Sequence, residues 1–101
     1  MNLSEVLRLF TQHDLLLQTQ ALEGIECLNG VVRVDNREIE TGDIFVCIRG
    51  QVSDGHRFIA DARAKGAALI VGEYDFTDPL PAIRVSDSRR AAALLAKLFY
   101  N

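Results

Sequence analysis

The sequence has 101 residues, of which 49% are hydrophobic and 25% charged, and its formal net charge is -3. A chain of this length forms one domain and can bury a core without disulfides or a metal. The acidic balance and the absence of a basic run exclude nucleic acid as an expected partner, because neutralising phosphates requires surplus Lys and Arg. No apolar stretch is long enough to span a membrane, and no secretory signal begins the chain, so we expect a cytoplasmic protein.

The two cysteines, Cys27 and Cys47, are far apart and have no Cys or His neighbour at metal-ligand spacing. Cys47 lies in an apolar, strand-like run, which predicts a buried free thiol in a reducing compartment. A disulfide between the two is the alternative. No metal site is expected.

The first helix is predicted from apolar residues spaced three or four apart. These residues are Leu3, Val6, Leu7 and Phe10. Asn2 or Ser4 is a suitable N-cap. The period is lost over residues 11–22, which we predict to be a loop, and residues 31–34 read as a short strand.

A βαβ unit is predicted in the middle of the chain. Residues 44–48 form a continuous apolar run, which is typical of a strand buried on both faces. Asp54 is a candidate N-cap for a helix over 55–65, and Gly66 suits the left-handed residue that ends it. Residues 67–71 are the next strand, parallel to the first.

The rest of the sequence, after residue 71, predicts one more strand at residues 82–85 and a final helix that starts after Ser86 or Asp87. An apolar stripe identifies that helix. The stripe comprises Ala91, Leu94, Leu95, Leu98 and Phe99. The predicted fold class is therefore α/β, a small three-layer-like domain with a βαβ unit and a mostly parallel sheet flanked by helices.

The loop at residues 49–55 is the first candidate ligand site. Ligands in open α/β sheets bind outside the carboxyl ends of the strands, and this loop leads into a helix N-terminus, which favours an anion. Gly50 and Gly55 permit close backbone approach, and Gln51 and Ser53 offer hydrogen-bonding groups. The alternative interpretation is an ordinary connection in which Asp54 only caps the helix.

A second candidate contact is Asp35-Asn36-Arg37, at the end of the strand at 31–34. Asn36 is suited to contact a ligand. Arg37 is suited either to a phosphate or to a salt bridge with Asp43 or Asp54. No phosphate-binding loop, dinucleotide fingerprint or nucleophile elbow occurs in the sequence, so no catalytic residue is expected.

Residues 35–67, taken as a set, resemble the N-terminal domain of the Mur ligases, ATP-dependent amino-acid ligases of peptidoglycan precursor synthesis and hence of cell-wall biogenesis. That family shows D-S-R, then G-D-[LI]-F-V-A, a loop glycine, D-G-[HR]-x-[FY]-I and A-x-x-x-G-A. The matching residues are Asp35-Asn36-Arg37, Gly42-Asp43-Ile44-Phe45-Val46-Cys47, Gly50, Asp54-Gly55-His56-Arg57-Phe58-Ile59, and Ala62 with Gly66-Ala67.

Within the family, the D-G-H-R-F-I form and the closing Leu98-Phe99-Tyr100 are most similar to UDP-N-acetylmuramoyl-tripeptide synthetase, the MurE type, which adds the third amino acid to UDP-N-acetylmuramoyl-L-Ala-D-Glu. The ligase that adds D-Ala-D-Ala, the MurF type, is the alternative within the family. A non-catalytic α/β interaction module is the alternative outside it.

The resemblance implies that this domain binds the UDP moiety of the substrate. The family's contacts fall at Val34, Asn36, Gln51, Val52 and Ser53 of this sequence. Asn36 replaces the family serine, and Gln51-Val52-Ser53 stands where the family often has His-Gln-Ala.

The resemblance also implies what residues 1–101 do not contain. The ATP-binding central domain, with its glycine-rich loop, and the C-terminal domain would follow as further domains of the same enzyme. ATP and Mg²⁺ are cofactors implied for that full-length ligase and not for this domain. We therefore expect residues 1–101 to be truncated before the ATP-binding domain, able to bind the UDP-sugar substrate and unable to ligate alone.

Overall fold

A computed structural model describes residues 1–100 of the protein. It contains five strands and three α-helices in the order α1, β1, β2, β3, α2, β4, β5, α3. Their bounds are α1 Leu3–Gln12, β1 Leu16–Gln20, β2 Val32–Arg33, β3 Ile44–Val46, α2 Ile59–Ala64, β4 Leu69–Gly72, β5 Ala82–Val85 and α3 Ser88–Tyr100. Two short 3₁₀ turns, Asn36–Glu38 and Gly55–Phe58, complete the description.

The strands form one sheet in the order β1-β5-β4-β3-β2. The pairs β2–β3, β3–β4 and β4–β5 are parallel, and β1 joins β5 antiparallel at one edge. The segment β3–α2–β4 is the predicted βαβ unit. The α/β class and the mostly parallel sheet are therefore confirmed.

The sheet has a hydrophobic cluster on each face, so the domain has three layers. Alternating residues of β3 and its continuation supply both clusters, because successive side chains of a strand point to opposite faces. The cluster with α1 and α3 includes Val6, Phe10, Ile44, Val46, Leu69, Val71, Ile83, Val85, Ala91 and Leu95. The cluster with α2 includes Phe45, Cys47, Ala62, Ile70 and Ala82, with Phe58 and Ile59 packed against it.

Most predicted elements are confirmed within a few residues. Asn2 caps α1 by accepting a hydrogen bond from the Ser4 N–H at 2.8 Å, and Gly66 follows α2 with a φ of 96°. The helix predicted over 55–65 is divided into the 3₁₀ turn Gly55–Phe58 and α2. Asp54 still caps its start, accepting from the His56 N–H at 3.0 Å.

The loop predicted over residues 11–22 is wrong. Gln12 still belongs to α1, and Leu16–Gln20 forms the edge strand β1, which pairs with β5. The turns on either side use Asp14 and Ala21 at φ values of 57° and 56°, so no glycine or proline announces them. The strand also lacks an alternating pattern, because three of its five residues are exposed at the sheet edge.

A buried carboxylate organises the chain before β2 and β3. Asp43 is 4% exposed and accepts hydrogen bonds from the N–H groups of Val31 and Glu40, at 3.0 and 2.9 Å, and from Arg33 Nε at 3.0 Å. Burial alone would raise the pKa of Asp43. The hydrogen bonds from Glu40, Val31 and Arg33 outweigh burial and hold that pKa below its usual value.

We predict that Asp43→Asn lowers the free energy of unfolding by about 2–4 kcal/mol at pH 7, because an amide cannot accept all three hydrogen bonds. The carboxylate's folded-state pKa is depressed, so its extra stabilisation is present above the unfolded-state pKa of about 4 and is lost as pH falls below it. Urea unfolding from pH 7 to pH 3 measures both effects. Asp75→Asn, at a side chain that is 83% exposed, is the matched control. An equal loss in both variants would contradict the role given to Asp43.

The two thiols are predicted to differ in reactivity. Cys47 is buried, and burial raises its pKa to about 12, whereas Cys27 is exposed. Because the thiolate is the reactive form, a thiol reagent at pH 8 should modify one cysteine in the folded protein and both in denaturant. Cys27→Ser should abolish the fast reaction, and two fast thiols in the native protein would contradict the assignment.

Candidate functional site

A cleft of about 820 Å³ opens outside the carboxyl ends of β2 and β3. Three segments enclose it: the turn after β2, the loop after β3 and one face of α3. The lining residues are Val34, Asp35, Asn36, Arg37, Ile48, Gly50, Ser53, Gly55, Phe58, Arg89 and Ala92. Parallel strands place these segments together, since their carboxyl ends meet at one edge of the sheet.

The turn after β2 forms one wall. Asp35 caps the 3₁₀ turn by accepting from the Arg37 N–H at 2.9 Å and also pairs with the Arg37 guanidinium, whose Nη2 lies 2.7 Å from Asp35 Oδ2. The hydrogen bonds from Arg37 lower the pKa of Asp35 to about 2. Arg37 therefore pairs with its neighbour and not with Asp43 or Asp54, so the predicted long-range salt bridge is wrong. The Arg37 side chain remains 83% exposed at the rim of the cleft.

The loop after β3 is a tight reversal that faces the first wall. Arg49 and Asp54 form an antiparallel bridge, and the Gly50 N–H donates to the Ser53 carbonyl at 2.8 Å. The chain can return this closely because Gly55 has no side chain. A Cβ at Gly55 would lie 2.8 Å from the backbone nitrogen of Ile48.

This geometry divides the five predicted contact residues into two groups. Val34, Asn36 and Ser53 line the cleft together. Gln51 and Val52 form the tip of the reversal and do not line it, and Val52 is 98% exposed. The reason is the hydrogen bond from the Gly50 N–H to the Ser53 carbonyl, which closes the turn and holds Gln51 and Val52 away from the body of the domain.

Sequence reasoning missed the residues that form the far side of the cleft. Arg89 and Ala92 come from α3, more than 50 positions beyond Val34. Arg89 also donates to the Arg49 carbonyl at 3.0 Å and so contacts the loop. Phe58 packs against the cluster with α2 and also reaches the cleft, because it lies in the 3₁₀ turn that precedes α2. The positions of Arg89 and Ala92 at the cleft can be recognised only from the packing of α3 against the sheet.

A polar network fixes the far end of the loop. His56 lies between Asp54 and the backbone of Glu73, with its side chain 7% exposed. Its Nε2 accepts from the Glu73 N–H at 2.8 Å, so its proton is on Nδ1, which donates to Asp54 Oδ1 at 2.6 Å. The Tyr74 hydroxyl donates to the same carboxylate at 3.1 Å. The network ties the loop after β3 to the end of β4.

Glu73 ties the same sheet edge to α3. Its Oε2 accepts from the N–H and the hydroxyl of Ser88, at 2.8 and 2.9 Å, in the first turn of α3. Its other oxygen lies 3.3 Å from Arg49 Nη2. A carboxylate at a helix N-terminus is favourable because of the unpaired N–H groups there. Arg49 and Ser88 are thus held by one side chain, and α3 is fixed against the cleft.

The cleft combines apolar surface, hydrogen-bonding groups and cationic side chains. Val34, Ile48, Phe58 and Ala92 are apolar, and Arg37 and Arg89 stand at its edges. No group of three His, Cys, Asp or Glu side chains within residues 1–100 is arranged to hold a metal ion. Across the same residues, no helix has both the length and the apolar character needed to cross a bilayer. The cleft therefore offers a ligand both an apolar surface and two arginine side chains.

The structure defines a class of protein: an α/β domain with a cleft at the carboxyl edge of a mostly parallel sheet. A sequence model described as "Mur ligase family, catalytic domain" matches residues 30–100, more than half of the chain. The chain therefore belongs to the Mur ligase family, as its motifs predicted.

Curated relatives give the same assignment. Over 70 residues, 69% of this chain, it is 45% identical to the UDP-N-acetylmuramoyl-L-alanyl-D-glutamate--2,6-diaminopimelate ligase of Geobacillus kaustophilus. Over 82 residues, 81% of the chain, it is 40% identical to the ligase of the same name from Listeria monocytogenes. These matches span 14% and 16% of the two relatives, so the chain corresponds to a small part of their length.

Solved structures share the fold. The UDP-N-acetylmuramoylalanyl-D-glutamyl-2,6-diaminopimelate--D-alanyl-D-alanyl ligase from Acinetobacter baumannii superposes with a TM-score of 0.66 over 89% of this chain and 20% of its own, at 22% identity. The MurF ligase from Thermotoga maritima, solved with ADP, gives a TM-score of 0.64 over 70% of this chain and 17% of its own, at 31% identity. The fold class is confirmed by both.

We predict that His56→Phe lowers the free energy of unfolding by about 2–3 kcal/mol, because the Glu73 N–H loses its acceptor and Asp54 loses a donor. Tyr74→Phe, the matched control, removes one exposed hydroxyl and should cost under about 1 kcal/mol. Urea unfolding measures both variants. His56→Phe should also speed amide hydrogen exchange in residues 49–54, and wild-type stability with wild-type exchange would contradict the role of the network.

Proposed function

We propose that this chain is the N-terminal domain of an ATP-dependent peptidoglycan-precursor ligase and that its cleft binds the UDP moiety of UDP-N-acetylmuramoyl-L-Ala-D-Glu. The observation that supports this most directly is that Val34, Asn36 and Ser53, three contact positions implied by the family resemblance, line one cleft. In the proposal, Gln51 and Val52 contact the ligand from the loop tip, where both side chains are exposed.

The chemistry of the cleft suits the two halves of a uridine nucleotide. A planar base packs favourably against apolar side chains, which Val34 and Ile48 supply beyond the carboxyl ends of β2 and β3 and Phe58 supplies from the turn before α2. A diphosphate favours arginine, whose planar guanidinium donates two parallel hydrogen bonds. Arg89, from the first turn of α3, is the cation that we assign to it.

The whole protein, in this proposal, adds the third amino acid to the UDP-linked dipeptide in the cytoplasm and so serves cell-wall synthesis, cell shape and cell division. The named relatives are 2,6-diaminopimelate ligases. ATP and Mg²⁺ would act in the central domain of the same enzyme. This domain's contribution, in the proposal, is to bind and orient the nucleotide end of the substrate.

Addition of D-Ala-D-Ala is the second candidate activity, and the structural similarity to MurF ligases favours it. The sequence comparison favours the first candidate, because identity reaches 45% with a diaminopimelate ligase and 31% with the Thermotoga maritima MurF ligase. A non-catalytic interaction module, the third candidate, predicts no nucleotide affinity in the cleft.

We predict that UDP shifts the amide resonances of Val34, Asn36 and Ser53 at millimolar concentration, with AMP at the same concentration as the control ligand. Arg89→Gln should weaken UDP binding by about fivefold to tenfold, because it removes a charge-assisted contact worth about 1–1.5 kcal/mol. Arg90→Gln is the matched control, since Arg90 lines a different groove beside Leu9 and Leu94.

The titration can also contradict the proposal. Shifts confined to the groove beside Leu9, or an absence of shifts with about 10 mM UDP, would exclude a uridine site in the cleft. Equal weakening by Arg89→Gln and Arg90→Gln would exclude the specific role of Arg89.

A further inference from the structure

The amide of Asn36 is held in one orientation by residues of α2. Its Nδ2 donates to Asp61 Oδ2 at 2.7 Å. Lys65, the C-cap residue of α2, has its Nζ 2.9 Å from the same carboxylate oxygen and 3.0 Å from the Asn36 backbone carbonyl oxygen. Both the side chain and the backbone of Asn36 are therefore fixed to the helix at the wall of the cleft.

The chemistry of Asp61 determines which end of the amide is fixed. A carboxylate only accepts hydrogen bonds, so it binds the NH₂ group and repels the carbonyl oxygen. The hydrogen bond from Asn36 is the largest of the influences that lower the pKa of Asp61, so the carboxylate is ionised at neutral pH. A flipped amide would place two acceptor oxygens against each other, and the arrangement therefore excludes it.

The oxygen of the Asn36 amide is consequently the atom without a protein partner. Among residues 1–100 it makes no hydrogen bond, and Asn36 lines the cleft. A ligand at this wall meets a hydrogen-bond acceptor whose orientation is set in advance by Asp61.

We propose that Asn36 Oδ1 accepts a hydrogen bond from the N3–H of uracil, and that Asp61 is the positioning residue that makes the cleft select uridine over cytidine nucleotides. The inference rests on the proposed function, which it deepens by naming the group that is recognised. Uracil has an N–H at ring position 3, whereas cytosine has a lone pair there. Cytosine would bring two acceptors together and leave both unpaired, which is how a hydrogen-bonding site rejects an analogue.

The serine that the family resemblance implies at this position would discriminate less. A hydroxyl both donates and accepts, because its hydrogen rotates to suit the partner. An asparagine held by Asp61 lacks that freedom. The selectivity is thus a property of the pair formed by Asn36 and Asp61 in this chain.

The test is a comparison of UDP and CDP binding to the 101-residue chain by amide-shift titration. The wild-type chain should bind UDP about tenfold more tightly than CDP, the cost of one lost hydrogen bond with an unpaired acceptor. Asp61→Asn should reduce the ratio to about twofold or less, because an asparagine at 61 can donate to the Asn36 oxygen and so permits the flipped amide.

Two further variants keep the test falsifiable. Asn36→Ser should also reduce the preference for UDP over CDP, and it does so without any change in the sequence of α2. Asp75→Asn removes the same charge at a side chain that is 83% exposed and paired with Arg84, and it should leave the ratio unchanged. A change in overall stability alone would alter both affinities together and not their ratio.

The outcomes separate this inference from the proposed function. UDP binding in the cleft with equal CDP affinity, or an unchanged ratio in Asp61→Asn and Asn36→Ser, overturns the inference and leaves the uridine site standing. An absence of binding by both nucleotides overturns the proposed function and the inference with it. A tenfold preference that is lost in both variants and kept in Asp75→Asn supports the inference.

Discussion

The burial of the two central parallel strands, β3 and β4, on both faces is the constraint on which the rest of this structure depends. β3 and β4 are buried along their whole length, so the chain must cover the sheet with α1 and α3 on one side and α2 on the other. Parallel strands must also end at the same edge. The turn after β2, the loop after β3 and the start of α3 consequently meet there and enclose the cleft.

Polar side chains, and not apolar packing, fix the segments that surround the cleft. Asp54 and His56 fasten the loop after β3 to the end of β4, Glu73 fastens α3, and Asp61 fastens Asn36. Loops of this kind have few apolar contacts, so directional hydrogen bonds determine their shape. The walls of the cleft are therefore held in place by hydrogen bonds within the domain itself.

The sequence predicted those parts of the fold that depend on local patterns. The apolar run at residues 44–48, the glycine at 66 and the stripe of the last helix each identify an element from its own residues. The edge strand β1 was missed because it is recognised by its pairing with β5 and has turns at Asp14 and Ala21 that lack glycine.

Only part of the site was predicted, because some of its residues reach the cleft through tertiary packing and not through a local sequence pattern. Val34, Asn36 and Ser53 are near the motifs in sequence, whereas Arg89 and Ala92 reach the cleft only through the packing of α3 on the sheet. Asp43 and Asp54, the two salt-bridge partners considered for Arg37, are wrong because the cap of the 3₁₀ turn brings Asp35 closest. The hydrogen bond between Asn36 and Asp61 was not predicted, since it depends on how α2 lies against the turn after β2.

The most direct test of the central claim is an NMR measurement of intermolecular nuclear Overhauser effects between UDP and the protein. Our account predicts contacts from the uracil H5 and H6 protons to the methyl groups of Val34 and Ile48 and to the ring of Phe58, the apolar side chains of the cleft. Contacts to Leu9 and Leu94, in the groove between α1 and α3, would contradict it.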